Sequence, residues 1–260
     1  MTQEYEIKTV DAANIDRSGF FCYMSKPKAP GYRQKRDWLE ARFAEGLKIK
    51  IVHEYGGRIA GFIEYIPGEY AWRAVYAPDY TVIHCLFVVG SGKKKGYGRQ
   101  LIGEAVADAR AQGKRGVVMV ASSGNWLADK KPFLFNGFEE IDQAPPSFQL
   151  LVHRLDGGSH LPAFPVDWQA RLERLGSGLS IVRTAQCPYF DSVSQGMFEY
   201  ARRRGLTARV VELTSAEDVR AHSPTAYGTF ALVLDGQLVS YHYLKDRQLE
   251  RRFDALLTEG

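Results

Sequence analysis

The sequence predicts an α/β protein of two domains: a mixed-sheet domain over residues 1–155 and a smaller α/β domain over residues 166–260. Three observations predict it. Short apolar runs of strand length alternate with segments whose apolar residues recur at helical spacing, the pattern of a sheet with helices packed on it. The stretch from Leu155 to Pro165, LDGGSHLPAFP, carries glycine and proline without periodicity, and 156–165 reads as a linker. A chain of 260 residues, 45% hydrophobic and 25% charged, is long enough for two ordinary cores.

The elements follow in order. MTQEYEIKTV alternates polar and apolar residues like a strand. LKIKIVHEY sets Leu47, Ile49 and Ile51 against Lys48 and Lys50, a strand with one wet face, and Gly56-Gly57 turns it into RIAGFIEYI. YTVIHCLFVV is an apolar run suited to the middle of a sheet. In RQLIGEAVADARAQG, Leu101, Ile102, Ala105, Val106 and Ala109 share one helical face, and Gly113 stops the helix. GVVMVASS is a buried strand; NWLADKKPFLFNGF reads as a helix with Asn125 as cap, ending at Asn136-Gly137; FQLLVHRL is a last strand. After the linker come a strand LSIVRT, a helix FDSVSQGMFEYARRRG and a strand TARVVEL. A short helix SAEDVRAH, a strand GTFALVLD, a strand QLVSYHYL entered through Gly236, and a helix DRQLERRFDALL complete the small domain.

Composition removes several functions. The formal charge is +4, but positive residues alternate with acidic ones along most of the chain, so nucleic acid is not an expected partner. No apolar run is long enough to span a bilayer, and the first residues lack the basic-then-apolar pattern of a signal peptide. The expected address is the cytoplasm, without a membrane partner. Cys22, Cys85 and Cys187 are widely spaced and odd in number, which suggests no disulfide framework and no metal site. Cys22 and Cys85 read as small buried hydrophobes.

One loop carries chemistry. VVGSGKKKGYGRQL, Val88 to Leu101, joins an apolar strand to a helix through glycines and three lysines. Its spacing fits neither a Walker A loop nor G-x-G-x-x-G. A strand ending in LFVV, a short loop, then Gly96-Tyr97-Gly98 opening a helix resembles the GNAT superfamily of N-acetyltransferases, whose central motif runs Leu-x-Val, loop, Arg/Gln-x-x-Gly-x-Gly/Ala. Leu86, Val88, Lys93, Gly96 and Gly98 fall into that frame, with Lys93 in place of the usual Arg or Gln. The physics agrees: a diphosphate needs several backbone N–H groups and the positive end of a helix, and glycines let the backbone come close. The late pattern FLFNGFEEID and the element order over the first 155 residues resemble the same family.

The resemblance implies an acetyl-CoA-dependent N-acetyltransferase, in which a small-molecule amine attacks the thioester directly in a ternary complex. It implies a coenzyme site of Leu86, Phe87, Val88, Lys93, Lys94, Lys95, Gly96, Tyr97, Gly98, Arg99, Asn125 and Phe133. The backbone N–H of Val88 would receive the oxyanion. For the base, period-2 alternation puts His84 on the face of Leu86 and Val88. Some aromatic-amine acetyltransferases of the superfamily carry a relay histidine there, although a histidine in an apolar strand can equally be a core residue. Glu64, in GFIEY, is the second candidate, and Glu69 a weaker one. Relatives often place a thiolate-protonating Tyr where this chain has Phe133, which cannot donate. The aromatics of FFCYMSKPKAPGYRQKRDWLEARF (Phe20, Phe21, Tyr23, Tyr32, Trp38) line the acceptor pocket or belong to the core.

In the second domain, TAQCPYFDSV puts Cys187 between a strand and a helix start, where a helix dipole lowers a thiol pKa. The element order resembles the thioredoxin fold. Phe190 replaces the resolving cysteine, so a dithiol oxidoreductase is not expected. QCPY, YGTF and DGQLVSYHYL, fused to a GNAT domain, resemble the bacterial YoaP-like acetyltransferases. Three roles for Cys187 stay open: an inert residue, a redox-sensing or ligand-binding thiol, or a contact to the acceptor in a cleft shared by both domains, with Tyr189, Tyr227 and Gly228 around it. The rival to catalysis is a coenzyme A-binding protein whose working group is Cys187.

Overall fold

Alternating side chains bring the strands of the first half into one sheet. The computed structural model describes residues 5–123, 127–158, 160–244 and 246–258. In chain order the first half holds β1 (Tyr5–Val10), α1 (Ile15–Ser18), α2 (Pro30–Phe43), β2 (Lys48–Glu54), β3 (Ile59–Pro67) and β4 (Tyr80–Val88). It continues with α3 (Tyr97–Ala111), β5 (Gly116–Ser122), α4 (Lys131–Leu134), β6 (Glu139–Ala144) and β7 (Phe148–Arg154). The strands form a seven-stranded sheet in the order β1-β2-β3-β4-β5-β7-β6. β4 and β5 run parallel, with α3 as the crossover between them, and the other neighbours are antiparallel.

The second half holds α5 (Trp168–Glu173), β8 (Leu179–Arg183), α6 (Phe190–Arg203), β9 (Ala208–Glu212), α7 (Ala216–His222), β10 (Phe230–Leu234), β11 (Gln237–Ser240) and α8 (Asp246–Thr258). Its four strands form a separate sheet, β11-β10-β8-β9, with β8 and β9 parallel.

The two faces of the large sheet meet different neighbours. α3 buries Leu101, Ile102, Ala105 and Ala109 with Ile63, Ile83, Val117 and Met119. The opposite face, with Phe62, Ile66, Val82 and Val118, meets Trp38 and Leu39 of α2, and that apolar cluster continues through Phe190, Tyr227 and Phe230 to Phe253 of the second half. One core therefore runs through both sheets. The linker is tied in as well, since Tyr76 and Ala163 exchange two backbone hydrogen bonds.

Two expectations change. The helix read over NWLADKKPFLFNGF is confined, among the described residues, to the four residues of α4, and Asn125 lies outside the described residues. EEIDQA, given no element of its own in the sequence reading, is the edge strand β6. An edge strand has one partner and polar side chains, so its apolar alternation is weak.

Candidate active site

The loop after β4 is a tight 3-10 turn, Gly90–Lys95, followed by Gly96 in the left-handed region (φ 77°) as N-cap of α3. Among the described residues no side chain caps this helix and its first turn holds no acidic residue. The start of α3 thus presents the positive end of the helix with no acidic side chain of its first turn against it. The glycines differ in what they do. A Cβ at Gly92 would lie 3.0 Å from the Tyr97 ring and 3.1 Å from Val88, so Gly92 lets the turn fold onto β4. A Cβ at Gly98 would meet Val88 at 3.8 Å, ordinary contact, so Gly98 leaves room beside the helix start.

The lysines and Tyr97 divide. Lys93, Lys94 and Arg99 are exposed around the turn. Lys95 reaches back instead, donating to Glu54 Oε1 at 2.9 Å, and Tyr97 is buried with its hydroxyl on the same oxygen at 2.8 Å. Those two hydrogen bonds hold the Glu54 carboxyl below its usual range. The side chains of Lys95 and Tyr97, expected to hold coenzyme, pin the turn to the end of β2. Phe133 is likewise a core residue, fully buried with its ring 5.3 Å from that of Phe138.

Beside the turn the sheet opens. β4 pairs with β5 from Tyr80 to Ile83, against Gly116 to Met119, and the strands then part, while β3 stays paired with β4 as far as Val88. Val89 donates its N–H to Ala60 of β3 at 2.9 Å, so by alternation the N–H of Val88 faces the opening. Leu86 and Val88 pack toward the α3 side. Phe87 points the other way, half exposed, 5.8 Å from Phe21, which stacks on Phe62 at 4.5 Å.

His84 sits where the register slips. Glu64 pairs with Cys85 and Tyr65 with Ile83, which leaves His84 as the extra residue of a β-bulge. The bulge overturns the expected shared face: Leu86 and Val88 lie on the α3 side, whereas the His84 ring lies on the α2 side, 6.0 Å from Trp38. Its ring is fully engaged. Nε2 accepts the Trp72 N–H at 2.9 Å, which puts the proton on Nδ1, 3.2 Å from Glu64 Oε1. Burial pushes the His84 pKa down to about 4, against the pull of Glu64. A neutral imidazole whose lone pair already holds a backbone N–H has none to offer an acceptor amine. His84 is therefore an anchor in this geometry, with both ring nitrogens engaged, which is the core role the sequence left open.

Glu64 is 3% exposed and its other oxygen, Oε2, takes Lys35 Nζ of α2 at 2.6 Å. Burial pushes its pKa up, but Lys35 and His84 outweigh that and hold it at about 2. Glu69 lies apart on the surface, accepting the N–H of Asp79 at 2.8 Å.

The second half completes the cluster. Gln186 Nε2 donates to Glu64 Oε1 at 3.3 Å, and Gln186 Oε1 accepts from Arg73 Nη1 at 2.6 Å and from the Thr229 hydroxyl at 2.9 Å. Arg73 is 2% exposed; Nη1 also reaches Thr229 Oγ1 at 2.8 Å, and Nη2 donates to the carbonyl of His84. Its guanidinium lies 5.1 Å from the Tyr227 ring centre. Backbone contact is equally close: a Cβ on Gly228 (φ 73°) would sit 2.9 Å from the Trp72 carbonyl, and one on Gly31 would sit 2.1 Å from that of Pro188.

Cys187 therefore neighbours the cluster, and Tyr189 packs on Tyr23 at 4.8 Å. Its thiol is not activated. Burial pushes its pKa up to about 11 despite the N–H of Tyr189, and α6 begins at Phe190. Cys85, paired in register with Glu64, is pushed up to about 12, and Cys22 is raised too, again by burial. At neutral pH all three are thiols, which overturns the expected dipole-lowered nucleophile. Among the described residues no group of His, Cys, Asp and Glu is placed to hold a metal ion.

Lys35, Arg73, Gln186 and Thr229 were not anticipated from sequence. Two left a signal: Lys35 falls on the buried stripe Gly31, Trp38, Leu39 of α2, and Arg73 interrupts the apolar run Ala71 to Ala77.

Comparison with known proteins agrees with the loop. The family described as the acetyltransferase (GNAT) family matches residues 13–125. The N-acetyltransferase YoaP of Bacillus subtilis is 32% identical over 247 residues, covering 94% of this chain and 96% of that protein. An L-methionine sulfoximine/L-methionine sulfone acetyltransferase of Pseudomonas paraeruginosa is 32% identical over 91 residues, 35% of this chain and 51% of its own. A solved GNAT acetyltransferase of Brucella melitensis in complex with acetyl-CoA is 19% identical, with a TM-score of 0.39 over 62% of this chain and 96% of that one.

Proposed function

The chain belongs to the GNAT family of N-acetyltransferases, and on that premise we propose that it transfers the acetyl group of acetyl-CoA to a small-molecule amine by direct attack in a ternary complex. The observation that carries this reading is the juxtaposition of an uncapped, glycine-lined helix start with the point where β4 and β5 part. Anionic phosphate suits the N–H groups opening α3 at Gly96, Tyr97 and Gly98, with Lys93, Lys94 and Arg99 adding charge at the rim. Beside them the N–H of Val88 is the donor for a thioester oxygen. Amine attack forms the C–N bond and puts negative charge on that oxygen; collapse breaks the C–S bond and expels the thiolate. The amine proton leaves to that thiolate or to water, because a thiol of pKa ~8.5 departs without a dedicated acid in the position of Phe133.

Glu64 and His84 act in this scheme as the fixed floor of the cleft rather than as the proton acceptor. Tyr23 and Tyr189 meet across the two halves, and with Phe21 and Phe87 they form the wall for the acceptor. The sulfur-containing amino acid derivatives named for the Pseudomonas relative match an acceptor of that size. The second domain reads as thioredoxin-like, supported by its strand order, second-first-third-fourth with the first pair parallel. Its protonated Cys187 argues against a thiol-centred activity.

Calorimetric titration with acetyl-CoA and coenzyme A tests the reading. Gly98→Glu is the decisive variant, since its Cβ is accommodated in helical geometry while the carboxylate opposes phosphate at the helix start. Binding by the parent protein that Gly98→Glu abolishes is the expected result. Equal binding by both, or none by the parent, overturns the reading.

A further inference from the structure

We propose that Gln186 and Thr229 of the second domain are positioning residues for acetyl transfer, holding the Arg73 guanidinium that anchors β4 where it leaves β5. The proposal rests on the acetyl-transfer reading above.

A parallel strand that loses its neighbour exposes backbone groups on that edge, and buried ones must find other partners. His84 is fully buried one residue past the last β4–β5 pair, and its carbonyl takes Arg73 Nη2. A side chain therefore continues the work of the missing strand. Arg73 lies outside any strand, in the segment between β3 and β4, so something must fix it in turn. Three acceptors surround Nη1: the Trp72 carbonyl at 2.9 Å, Gln186 Oε1 and Thr229 Oγ1, the last two from the second domain.

The bonds close into a ring. His84 Nδ1 meets Glu64 Oε1, Glu64 Oε1 meets Gln186 Nε2, Gln186 Oε1 meets Arg73 Nη1, and Arg73 Nη2 returns to the His84 carbonyl. Thr229 braces the ring at Gln186 and Arg73, its single proton going to Gln186 while its lone pair accepts from Arg73. A closed polar circuit in a buried setting couples its members, so removing one loses several bonds. Four residues further along the same strand lies Val88, whose N–H faces the opening. The ring fixes one end of this segment, and the close approach of Gly61, whose Cβ would lie 2.7 Å from the Phe87 carbonyl, fixes the other. The second domain thus supports the strand that receives the thioester, in addition to walling the acceptor.

The test compares Thr229→Val, which removes the hydroxyl at near-constant volume, with Thr229→Ser, which retains it, and adds Gln186→Met. The full-length variants are titrated with coenzyme A and with acetyl-CoA, and backbone hydrogen exchange over 84–88 is followed without ligand. Expected for Thr229→Val and Gln186→Met are coenzyme A affinity within about twofold of the parent and acetyl-CoA affinity lowered about three- to tenfold, the scale of one hydrogen bond. Exchange over 84–88 should quicken, and Thr229→Ser should restore both readouts. Unchanged exchange with unchanged acetyl-CoA affinity overturns the proposal, as does an equal loss for both ligands, which would mean general damage. If Gln186→Met does not fold, the Thr229 pair decides alone. A parent protein that binds neither ligand overturns the acetyl-transfer reading and this proposal with it, whereas a binding parent with silent variants overturns the positioning role alone.

Discussion

Lys35 and Glu64 are each 3% exposed and 2.6 Å apart, and removing one charge leaves the other buried without its counter-ion. Glu64→Gln should therefore destabilise the protein by about 3–5 kcal/mol, and adding Lys35→Met should recover much of that loss, because a missing pair costs less than half a pair. Urea denaturation of the single and double variants measures it; an unchanged midpoint in Glu64→Gln would mean the pair is open to water. His84 sets a pH dependence. Its folded pKa of about 4 lies below the ordinary 6.5, so between those values the unfolded chain binds the proton and the folded one does not. Glu64 acts lower down: its folded value of about 2 lies below 4.5, so its stabilisation is lost as the pH falls through that range. Melting temperature should fall from pH 6.5 toward pH 4, and His84→Gln should flatten that upper limb. A limb of equal slope in the variant would place the titration on another group. The sequence singled out both residues as candidates. It could not show that a bulge turns His84 away from Leu86 and Val88, because a one-residue slip in register leaves no mark on apolar alternation.

At the level of elements, the strands of the large sheet other than β6, and helix α3, were legible because each carries its own periodicity. β4 read as a buried run, α3 as an apolar stripe, and the loop between them as a ligand-binding turn. What was not legible depends on partners remote in sequence: β6 exists as a strand through pairing with β7, and Arg73 meets Thr229 across 156 positions. The contact between the segment before β4 and the turn before β10 is backbone against backbone. Gly228 is required twice there, by its φ of 73° and by the 2.8 and 2.9 Å that a Cβ would leave to Val219 and the Trp72 carbonyl. Gly228→Ala should cost about 2–4 kcal/mol, combining left-handed strain with overpacking. Gly205→Ala, also at positive φ (67°) but with nothing within 4 Å of its Cβ, isolates the strain alone and should cost about 1 kcal/mol. Chemical denaturation of the two variants separates the contributions, and equal losses would show that the Trp72 segment yields to the new methyl.

For the whole molecule, two sheets predict two domains, and a glycine- and proline-rich linker suggests that they move independently. The packing argues otherwise. One apolar cluster runs from Val10 to Phe253, and the Glu64–Gln186 and Arg73–Thr229 bonds are buried within the seam. The Tyr76–Ala163 bridge takes up the linker itself. Separating the halves would expose apolar surface, leave Arg73 buried or half-solvated without its acceptors, and strip Glu64 of a donor. The two polar losses each carry a penalty of order 1–3 kcal/mol for a buried polar group left unpaired. The large-sheet half therefore has no stable state of its own in which His84 and Arg73 keep their places. Calorimetry should show a single transition whose van't Hoff and calorimetric enthalpies agree, with the tryptophan fluorescence and the far-ultraviolet dichroism changing at the same temperature. Two resolved transitions would make the halves separate folding units, and the seam would then be a docking contact rather than a shared core.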